Sequence, residues 1–231
     1  MAIDADSHGL DQKDISAYFD GQSNTLLWIS LGVTAVLYAV MDVIGVIIGL
    51  ALVGYVLYKK FGDKGITDEQ IDEAWAAIAE SRREEAHKVA LIDKEDTIRD
   101  AEWFFAWPDD LSPETEYKSK EGEDGYFRRN HQRLVYMIYG KDQLVTFGET
   151  ICIEDNWDGD DDSKEYYWQD VSSMGFDQKT NVLELACGPK IINYPLAGQD
   201  EDGYTDEKVK TEKATSVANS VRVILRERKS N

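Results

Sequence analysis

The chain has 231 residues, of which 42% are hydrophobic and 30% are charged, a composition typical of a folded protein and not of one disordered throughout. Its 25 lysines and arginines are outnumbered by 45 aspartates and glutamates, which gives a formal net charge of -20 at pH 7. Nucleic-acid binding needs a basic face, so this charge argues against nucleic acid as a partner. It suits a basic partner, a strongly hydrated surface or a high-salt cytoplasm.

Residues 1–23 form an acidic tail, and residues 24–58 are predicted to be a membrane-embedded helical segment. Between Leu26 and Tyr58 the single charged residue is Asp42, and about 20 apolar residues are enough for one membrane-spanning helix. Two forms stay open, a single span and a helical hairpin with Asp42 at the bend. Both move this carboxylate towards the lipid headgroups, where its charge is less costly.

Three glycines, Gly45, Gly49 and Gly54, lie in the second half of this segment. Gly45 and Gly49 form a GxxxG pattern, which lets two membrane helices approach closely, so the three glycines are predicted to support helix packing in the membrane. The alternative is that glycine is simply common in membrane helices.

Lysines follow the apolar segment directly, at Lys59, Lys60 and Lys64. The positive-inside rule then predicts a membrane protein whose residues 59–231 are cytoplasmic. A hairpin would also place the acidic tail in the cytoplasm, whereas a single span would place it outside.

Residues 59–107 are predicted to be a cytoplasmic helical spacer. Thr67-Asp-Glu-Gln70 has the capping-box pattern, which predicts a helix from about residue 68 to residue 93. Its apolar residues recur at helical spacing, and its opposite face carries mixed charges. An aromatic cluster follows at 103–107, where core packing is expected and a membrane-interface position is the alternative.

Residues 108–124 are a polar, proline-containing linker, and residues 125–231 are predicted to be a β-domain with a C-terminal helix. Alternating or apolar stretches predict the following strands: 134–139, 143–153, 165–176, 182–187 and 190–194. A helix is predicted from about 211 to 228, with an apolar stripe at Val217, Val221, Ile224 and Leu225.

This order of an antiparallel meander and one amphipathic C-terminal helix resembles the pleckstrin-homology-like fold. The elements that carry the likeness are Tyr166–Val171, the strands 182–187 and 190–194, and the helix 214–228. The chain resembles bacterial membrane-anchored proteins with a C-terminal domain of this PH/GRAM-like kind. The resemblance implies an α+β fold class, in which a transmembrane segment and a helical spacer precede an antiparallel β-barrel closed by the helix. It also implies a binding or scaffolding role without catalysis.

The basic residues Arg128, Arg129, His131 and Arg133 are clustered in an otherwise acidic domain. They are candidates for contact with a protein partner or with anionic lipid headgroups. The alternative is that they pair with carboxylates of the same chain.

The acidic stretch 154–165 partly matches a calcium-binding EF-hand loop, with candidate ligands at Glu154, Asn156, Asp158, Asp162 and Glu165. An EF-hand needs flanking helices, whereas strands are predicted here. We therefore expect no metal site and an acidic hairpin loop exposed to solvent.

No motif of a phosphate loop, zinc protease, serine hydrolase or dinucleotide site is found in the sequence, and no cofactor is expected. The two cysteines, Cys152 and Cys187, are expected to be thiols in a cytoplasmic domain.

These observations favour a membrane-anchored, non-enzymatic interaction or scaffold protein, an accessory subunit or adaptor of a larger membrane assembly. Its expected partners are membrane lipids and other protein subunits, with a homo-oligomer as one form. The alternatives are a small pore-type protein that acts through its embedded helices, and a calcium-responsive module.

Overall fold

A computed structural model provides the structure, which describes residues 9–20, 53, 65–108, 111, 115–154, 157–200, 203–204 and 207–230. The α-helices of this part of the chain are α1 (Gln12–Asp20), α2 (Asp68–Val89) and α3 (Glu212–Ser230), and a 3₁₀ helix spans Lys94–Asp96. The strands are β1 (Thr97–Ala106), β2 (Ser119–Glu121), β3 (Phe127–Arg129), β4 (His131–Gly140), β5 (Gln143–Cys152), β6 (Trp157–Tyr167), β7 (Val171–Asp177), β8 (Val182–Cys187), β9 (Lys190–Pro195), β10 (Gln199–Asp200) and β11 (Gly203–Tyr204).

A four-stranded antiparallel sheet in the order β1-β4-β5-β6 lies at the centre of the fold. A second antiparallel sheet has the order β7-β8-β9, and two short hairpins pair β2 with β3 and β10 with β11. The apolar stretch Leu134–Tyr139 in β4 is buried at every position. Because successive side chains point to opposite faces of a strand, both faces of the central sheet are covered.

The first core lies between one face of the central sheet and the helices α1 and α2. It joins Ile15 of α1, Ile71 and Ile78 of α2, and the β4 residues Leu134 and Tyr136. The Tyr136 hydroxyl also donates a hydrogen bond to the carbonyl of Ala79. Arg82 of α2 and Glu149 of β5 form a further buried ion pair at 3.8 Å. Helix α2 is therefore fixed to the sheet by apolar packing and by buried polar contacts.

The second core lies on the opposite face of the central sheet, where the β7-β8-β9 sheet and α3 cover it. Val135 and Met137 of β4 pack there with Leu183 and Leu185 of β8. Helix α3 contributes the apolar stripe that its sequence predicts, with Val217, Val221, Ile224 and Leu225 all buried. The prediction of an amphipathic helix that packs on a sheet is confirmed.

Local sequence signals explain where α2 begins. The Thr67 side chain accepts a hydrogen bond from the Gln70 backbone N–H, and the Gln70 side chain accepts one from the Thr67 N–H. This reciprocal pair satisfies two backbone donors that the first turn leaves open, so the predicted capping box is confirmed.

The predicted hairpin of residues 134–139 and 143–153 is confirmed as β4 and β5, and the strands 182–187 and 190–194 as β8 and β9. The single strand predicted at 165–176 is wrong, because it is divided between β6 and β7, which belong to different sheets. The chain turns at Trp168, whose backbone N–H bonds to the Asp142 carbonyl and whose indole N–H bonds to the Gly140 carbonyl, at 3.1 Å and 2.9 Å.

The helical spacer predicted for residues 59–107 includes a strand in the structure, since β1 occupies Thr97–Ala106. This strand pairs antiparallel with β4, from Thr97 opposite Gly140 to Ala106 opposite Arg133. The expected core packing of the aromatic cluster is seen at Trp103 and Phe104, which are buried on opposite faces of β1. The spacer and the β-domain therefore share one sheet.

The predicted barrel is wrong. Among the described strands no sheet closes on itself, and the strands form separate sheets. The physical reason is the burial of both faces of the central sheet, which makes it the middle of a layered structure, whereas a barrel would use one face for its interior.

The transmembrane element of the predicted fold class is also overturned. No helix within the described ranges is long and apolar enough to cross a membrane, because α1, α2 and α3 each carry charged side chains along one face. Apart from Val53, the predicted segment 24–58 lies outside the described residues. The cytoplasmic position of residues 59–231 stays a prediction.

Candidate functional site

Arg128, the first of the predicted contact residues, is buried in a cluster of carboxylates. Its guanidinium forms a two-pronged contact with Asp72 of α2, at 2.7 Å and 3.1 Å, and bonds at 2.8 Å to each carboxylate oxygen of Asp124. The hydrogen bonds from Arg128, followed by the backbone N–H of Tyr126, hold the pKa of the Asp124 carboxyl well below its usual range. Arg128 therefore joins α2 to the β2-β3 hairpin.

The other three residues of the basic cluster also have partners within the chain. Arg129 is buried, donates to the Leu196 carbonyl at 2.9 Å and pairs with Glu207. The Nδ1 atom of buried His131 lies 2.9 Å from Asn130 Oδ1. Arg133 pairs with Asp162 of β6. Each of the four basic residues therefore contacts a polar group of the same chain. The predicted contact of these residues with a partner stays a prediction, and the geometry does not favour it.

The candidate calcium ligands that the structure describes, Glu154, Asp162 and Glu165, differ in their surroundings and share no binding partner. Glu154 is buried and accepts hydrogen bonds from Asn130 and Lys118. Asp162 pairs with Arg133 and Lys164, and Glu165 is exposed on β6. Asn156 lies outside the described residues, as do the side chain of Asp158 and the three membrane-segment glycines, Gly45, Gly49 and Gly54.

The expected acidic loop at 154–165 is largely a strand, because β6 covers Trp157–Tyr167. An extended strand points successive side chains to opposite faces and cannot wrap them around a single ion. Within the ranges that the structure describes, no group of three or more His, Cys, Asp or Glu side chains could hold a metal ion. Neither cysteine is in a disulfide, and Cys152 is buried and Cys187 partly buried.

The most distinctive concave surface is an aromatic pocket of about 300 Å³ at the β1 edge of the central sheet. We define the aromatic pocket by its ring-bearing walls, Trp75 of α2, Trp103 and Phe105 of β1, and Tyr126 before β3. The segment 209–214, which leads into α3, completes it. Because α2 and α3 cover opposite faces of the sheet, the pocket lies where the two cores meet at its edge.

Ring-to-ring contacts hold the pocket walls. The Phe105 ring lies 5.1 Å from the Trp75 ring and 5.4 Å from the Trp103 ring, both in edge-to-face geometry. The Trp103 indole N–H donates to a Glu80 carboxylate oxygen at 2.9 Å. Burial would raise the pKa of Glu80, but the hydrogen bond from Trp103 and the Arg83 guanidinium outweigh it, so the pKa lies below its usual range. The walls are therefore ordered before any ligand arrives.

Lysine side chains lie at the rim of the aromatic pocket and beside it, since Lys210 and Lys213 line the pocket and Lys208 precedes the lining segment. Lys213 Nζ lies 4.3 Å from the Trp103 ring centre, and Lys208 Nζ lies 4.0 Å from the Tyr126 ring centre. Lys210 is held by Asp72 at 2.7 Å. Lys208 and Lys213 are exposed and form no ion pair among the described residues, although Lys213 lies close enough to Glu80 to help lower its pKa, and the lining also includes the carboxylate of Glu212.

This arrangement can bind a group that is apolar at one end and anionic at the other. The aromatic walls provide apolar area and the ammonium groups attract negative charge. Trp75 and Trp103 are core residues, as predicted, and sequence reasoning missed the site because it left the lysines of 208–213 unassigned. The signal was present in that lysine-rich segment, but the pairing of β1 with β4 was needed to bring the parts together.

Comparison with protein-family models, with curated proteins and with solved structures found no match to this chain. The likeness to pleckstrin-homology-like proteins is thus neither supported nor excluded by relatives, although the closed barrel it implied is absent from the described strands.

Proposed function

We propose that the protein is a non-enzymatic interaction or scaffold protein, an accessory subunit of a larger assembly, that binds an acidic segment of a protein partner. The observation that carries this proposal is the aromatic pocket with lysine side chains at its rim. The partner places one aromatic side chain against the ring-bearing walls of the pocket, and its neighbouring carboxylates contact Lys208 and Lys213. A desolvated aromatic centre within a polar rim is the usual anatomy of a protein-binding site.

The size of the pocket supports a side chain as the occupant. Small-molecule sites typically enclose about 300–1,000 Å³, and the 300 Å³ found here is at the lower limit of that range. One inserted ring fits such a space, and the rest of the segment would lie across the rim.

The polar groups of the pocket support binding more than catalysis. Asp72 is shared between Arg128 and Lys210, and Arg129 is committed to Glu207 and to a backbone carbonyl. Charges that neutralise each other in this way fix the walls. The pairing leaves no nucleophile and base in hydrogen-bonded contact among the described lining residues.

A synthetic peptide tests the proposal. We use the capped pentapeptide Asp-Glu-Phe-Asp-Glu as the probe and titrate it into the full chain while following heat release. Saturable binding is expected, and Lys213→Gln should weaken it by about three- to tenfold, because one charge–charge contact at a rim is lost. Replacing the peptide phenylalanine by alanine should weaken binding by about tenfold or more, because the inserted ring is removed.

Lys179→Gln is the matched control, because Lys179 is an exposed lysine in the turn between β7 and β8, away from the aromatic pocket. This variant should bind the peptide as the unchanged protein does. The proposal fails if the peptide does not bind to the unchanged chain. It also fails if Lys213→Gln binds the peptide as tightly as Lys179→Gln and the unchanged chain do.

A further inference from the structure

A second concave surface lies at the opposite end of α3 from the aromatic pocket. This open groove of about 470 Å³ runs between α3 and the β7-β8-β9 sheet. We define it as the α3 groove, with Arg222, Arg226 and Lys229 on its helical side and Ser172 and Ser173 on its β7 side. It shares no lining residue with the aromatic pocket.

The three cations of the α3 groove lie on one face of the helix. Residues at i, i+4 and i+7 follow one another along a helix surface, which is the spacing of Arg222, Arg226 and Lys229. Like charges at this spacing destabilise a helix slightly. Favourable interaction with the helix dipole is confined to the last turn, so it can account for Lys229 but not for Arg222, which lies eight residues before the final helical residue.

The guanidinium of Arg222 is held in place before any ligand binds. Its Nε–H donates to the Met174 carbonyl at 2.8 Å, which orients the plane of the group beside β7. One terminal nitrogen makes only a long contact of 3.5 Å with Asn219 Oδ1. The other, Nη2, lies 3.7 Å from the point where a Cβ on Gly175 would stand, which is an ordinary van der Waals distance, and it has no hydrogen-bond partner among the described residues.

The positive charge of the α3 groove is only partly compensated by the described residues. Its lining contains three cations and one carboxylate, Glu184, and none of the three cations is within ion-pair distance of a described carboxylate. In a chain with 45 acidic and 25 basic residues, most cations have acidic neighbours available, as the basic cluster of β3 and β4 illustrates. The Ser173 hydroxyl is exposed at the same groove and is free to donate a hydrogen bond.

We infer that the α3 groove binds the phosphoryl group of a phosphate monoester. An oriented guanidinium offers parallel N–H donors that match two oxygens of a tetrahedral phosphate, which is the geometry that arginine recognises best. Arg226 and Lys229 add charge from the adjacent turns of the helix, and Ser173 donates from the facing strand. The inference is independent of the proposed function, because it uses different residues at the other end of α3.

Calorimetric titration tests the inference with two probes, inorganic phosphate and phenyl phosphate, at constant ionic strength. Both should bind saturably, and phenyl phosphate should bind more tightly if the natural ligand is an ester and not the free ion. Arg222→Gln should weaken the binding of phenyl phosphate by about tenfold, and Arg226→Gln by about two- to threefold. Lys88→Gln, an exposed cation on α2 across the central sheet, should have no effect.

The thermal unfolding transition of each variant shows that it is folded, and Arg226→Gln keeps the test valid if Arg222→Gln is unstable. The inference is overturned if neither probe binds, or if sulfate and chloride give the same response as phosphate. It is also overturned if folded Arg222→Gln and Arg226→Gln bind phenyl phosphate as tightly as the unchanged chain.

Discussion

At the scale of single residues, Glu102 of β1 is a carboxylate that the fold stabilises in its ionised form. It accepts hydrogen bonds of 2.7 Å from the Tyr139 hydroxyl and from the Ser216 hydroxyl. Burial would raise the pKa of Glu102, but hydrogen bonds from Ser220, Tyr139 and Ser216 outweigh it, so the pKa lies below its usual range. Glu102 thereby links the central sheet to α3.

The pH dependence of this contribution has a definite sign. Because the folded pKa is depressed, the stabilisation is fully present above the pKa of an unfolded glutamate, about 4.3, and is lost as the pH falls through the folded value. Glu102→Gln should lower the free energy of unfolding by about 1 kcal/mol at pH 7, and the loss should shrink near pH 2–3. Urea unfolding of both proteins at pH 7 and at pH 2–3 measures this difference in the free energy of unfolding.

Glu184→Gln is the control for Glu102, since Glu184 is exposed on β8 and has no hydrogen-bond partner among the described residues. It should unfold as the unchanged protein does at both pH values. If Glu102→Gln lowers the free energy of unfolding by the same amount at pH 7 and at low pH, the ionised form of Glu102 is not the stabilising one.

Arg128 gives a second prediction at this scale. Its replacement in Arg128→Met leaves Asp72 and Asp124 close together without their shared cation. The free energy of unfolding should fall by about 2 kcal/mol at neutral pH, because breaking a buried ion pair leaves charges unpaired. Chemical unfolding is the measurement, and Lys179→Met, at an exposed position of the turn between β7 and β8, is the control, with an expected change within about 0.5 kcal/mol. Equal stability of the two variants would contradict a structural role for Arg128.

The partners of the basic cluster could not be predicted from the sequence. Arg128 and Asp72 are 56 residues apart in the chain, and Arg129 and Glu207 are 78 apart. Their meeting depends on the packing of α2 and of the segment before α3 against β3. With 45 acidic residues available, the composition alone made internal pairing plausible but could not select the carboxylates.

At the scale of secondary-structure elements, α3 provides the clearest test of packing. Leu225 is 7% exposed and Val223 is 42% exposed, so two apolar residues of one helix face different surroundings. Leu225→Ala should lower the free energy of unfolding by roughly 2–5 kcal/mol, as a truncation in a core does. Val223→Ala should change it by no more than about 0.5 kcal/mol. Thermal or urea unfolding compares the pair, and equal destabilisation would show that α3 does not pack as described.

Elements with strong local signals were predictable. The capping box predicts the start of α2, the apolar stripe predicts α3, and the turn at Gly140-Lys-Asp142 predicts the end of β4 before β5. The turn at 168–170 was missed because Trp168-Gln-Asp170 has neither glycine nor proline and continues a strand-like pattern. Its cause is tertiary, since buried Trp168 is held by the carbonyl of Gly140.

The strand β1 likewise could not be predicted from local sequence alone. Its aromatic residues indicated burial, but pairing with β4 is a long-range contact across the β2-β3 hairpin. The aromatic pocket also depends on long-range contacts, because α2, β1 and the segment before α3 each supply part of its lining. The sequence shows each part separately, as a buried face or as a charged stretch. That the parts lie side by side follows only from the folded structure.

At the scale of the whole molecule, the described chain is a layered α+β structure with a central sheet between two cores. Each core is completed by a different helix-containing layer, and the β1 edge is where both layers approach each other. A concave surface at such an edge can accept a partner without opening either core. The lysine rim also marks a local departure from the overall charge of -20, so an acidic partner would be directed to this place.

The location of binding tests the central proposal most directly. The protein contains six tryptophans, which can be labelled as 5-fluorotryptophan and assigned by single Trp→Phe variants in ¹⁹F NMR spectra. On addition of the peptide Asp-Glu-Phe-Asp-Glu, the resonances of Trp75 and Trp103 should shift, because their rings line the aromatic pocket. The resonance of Trp168, buried in the second core, should stay unchanged. Unchanged signals of Trp75 and Trp103 at saturating peptide would contradict the proposal that the aromatic pocket is the binding site.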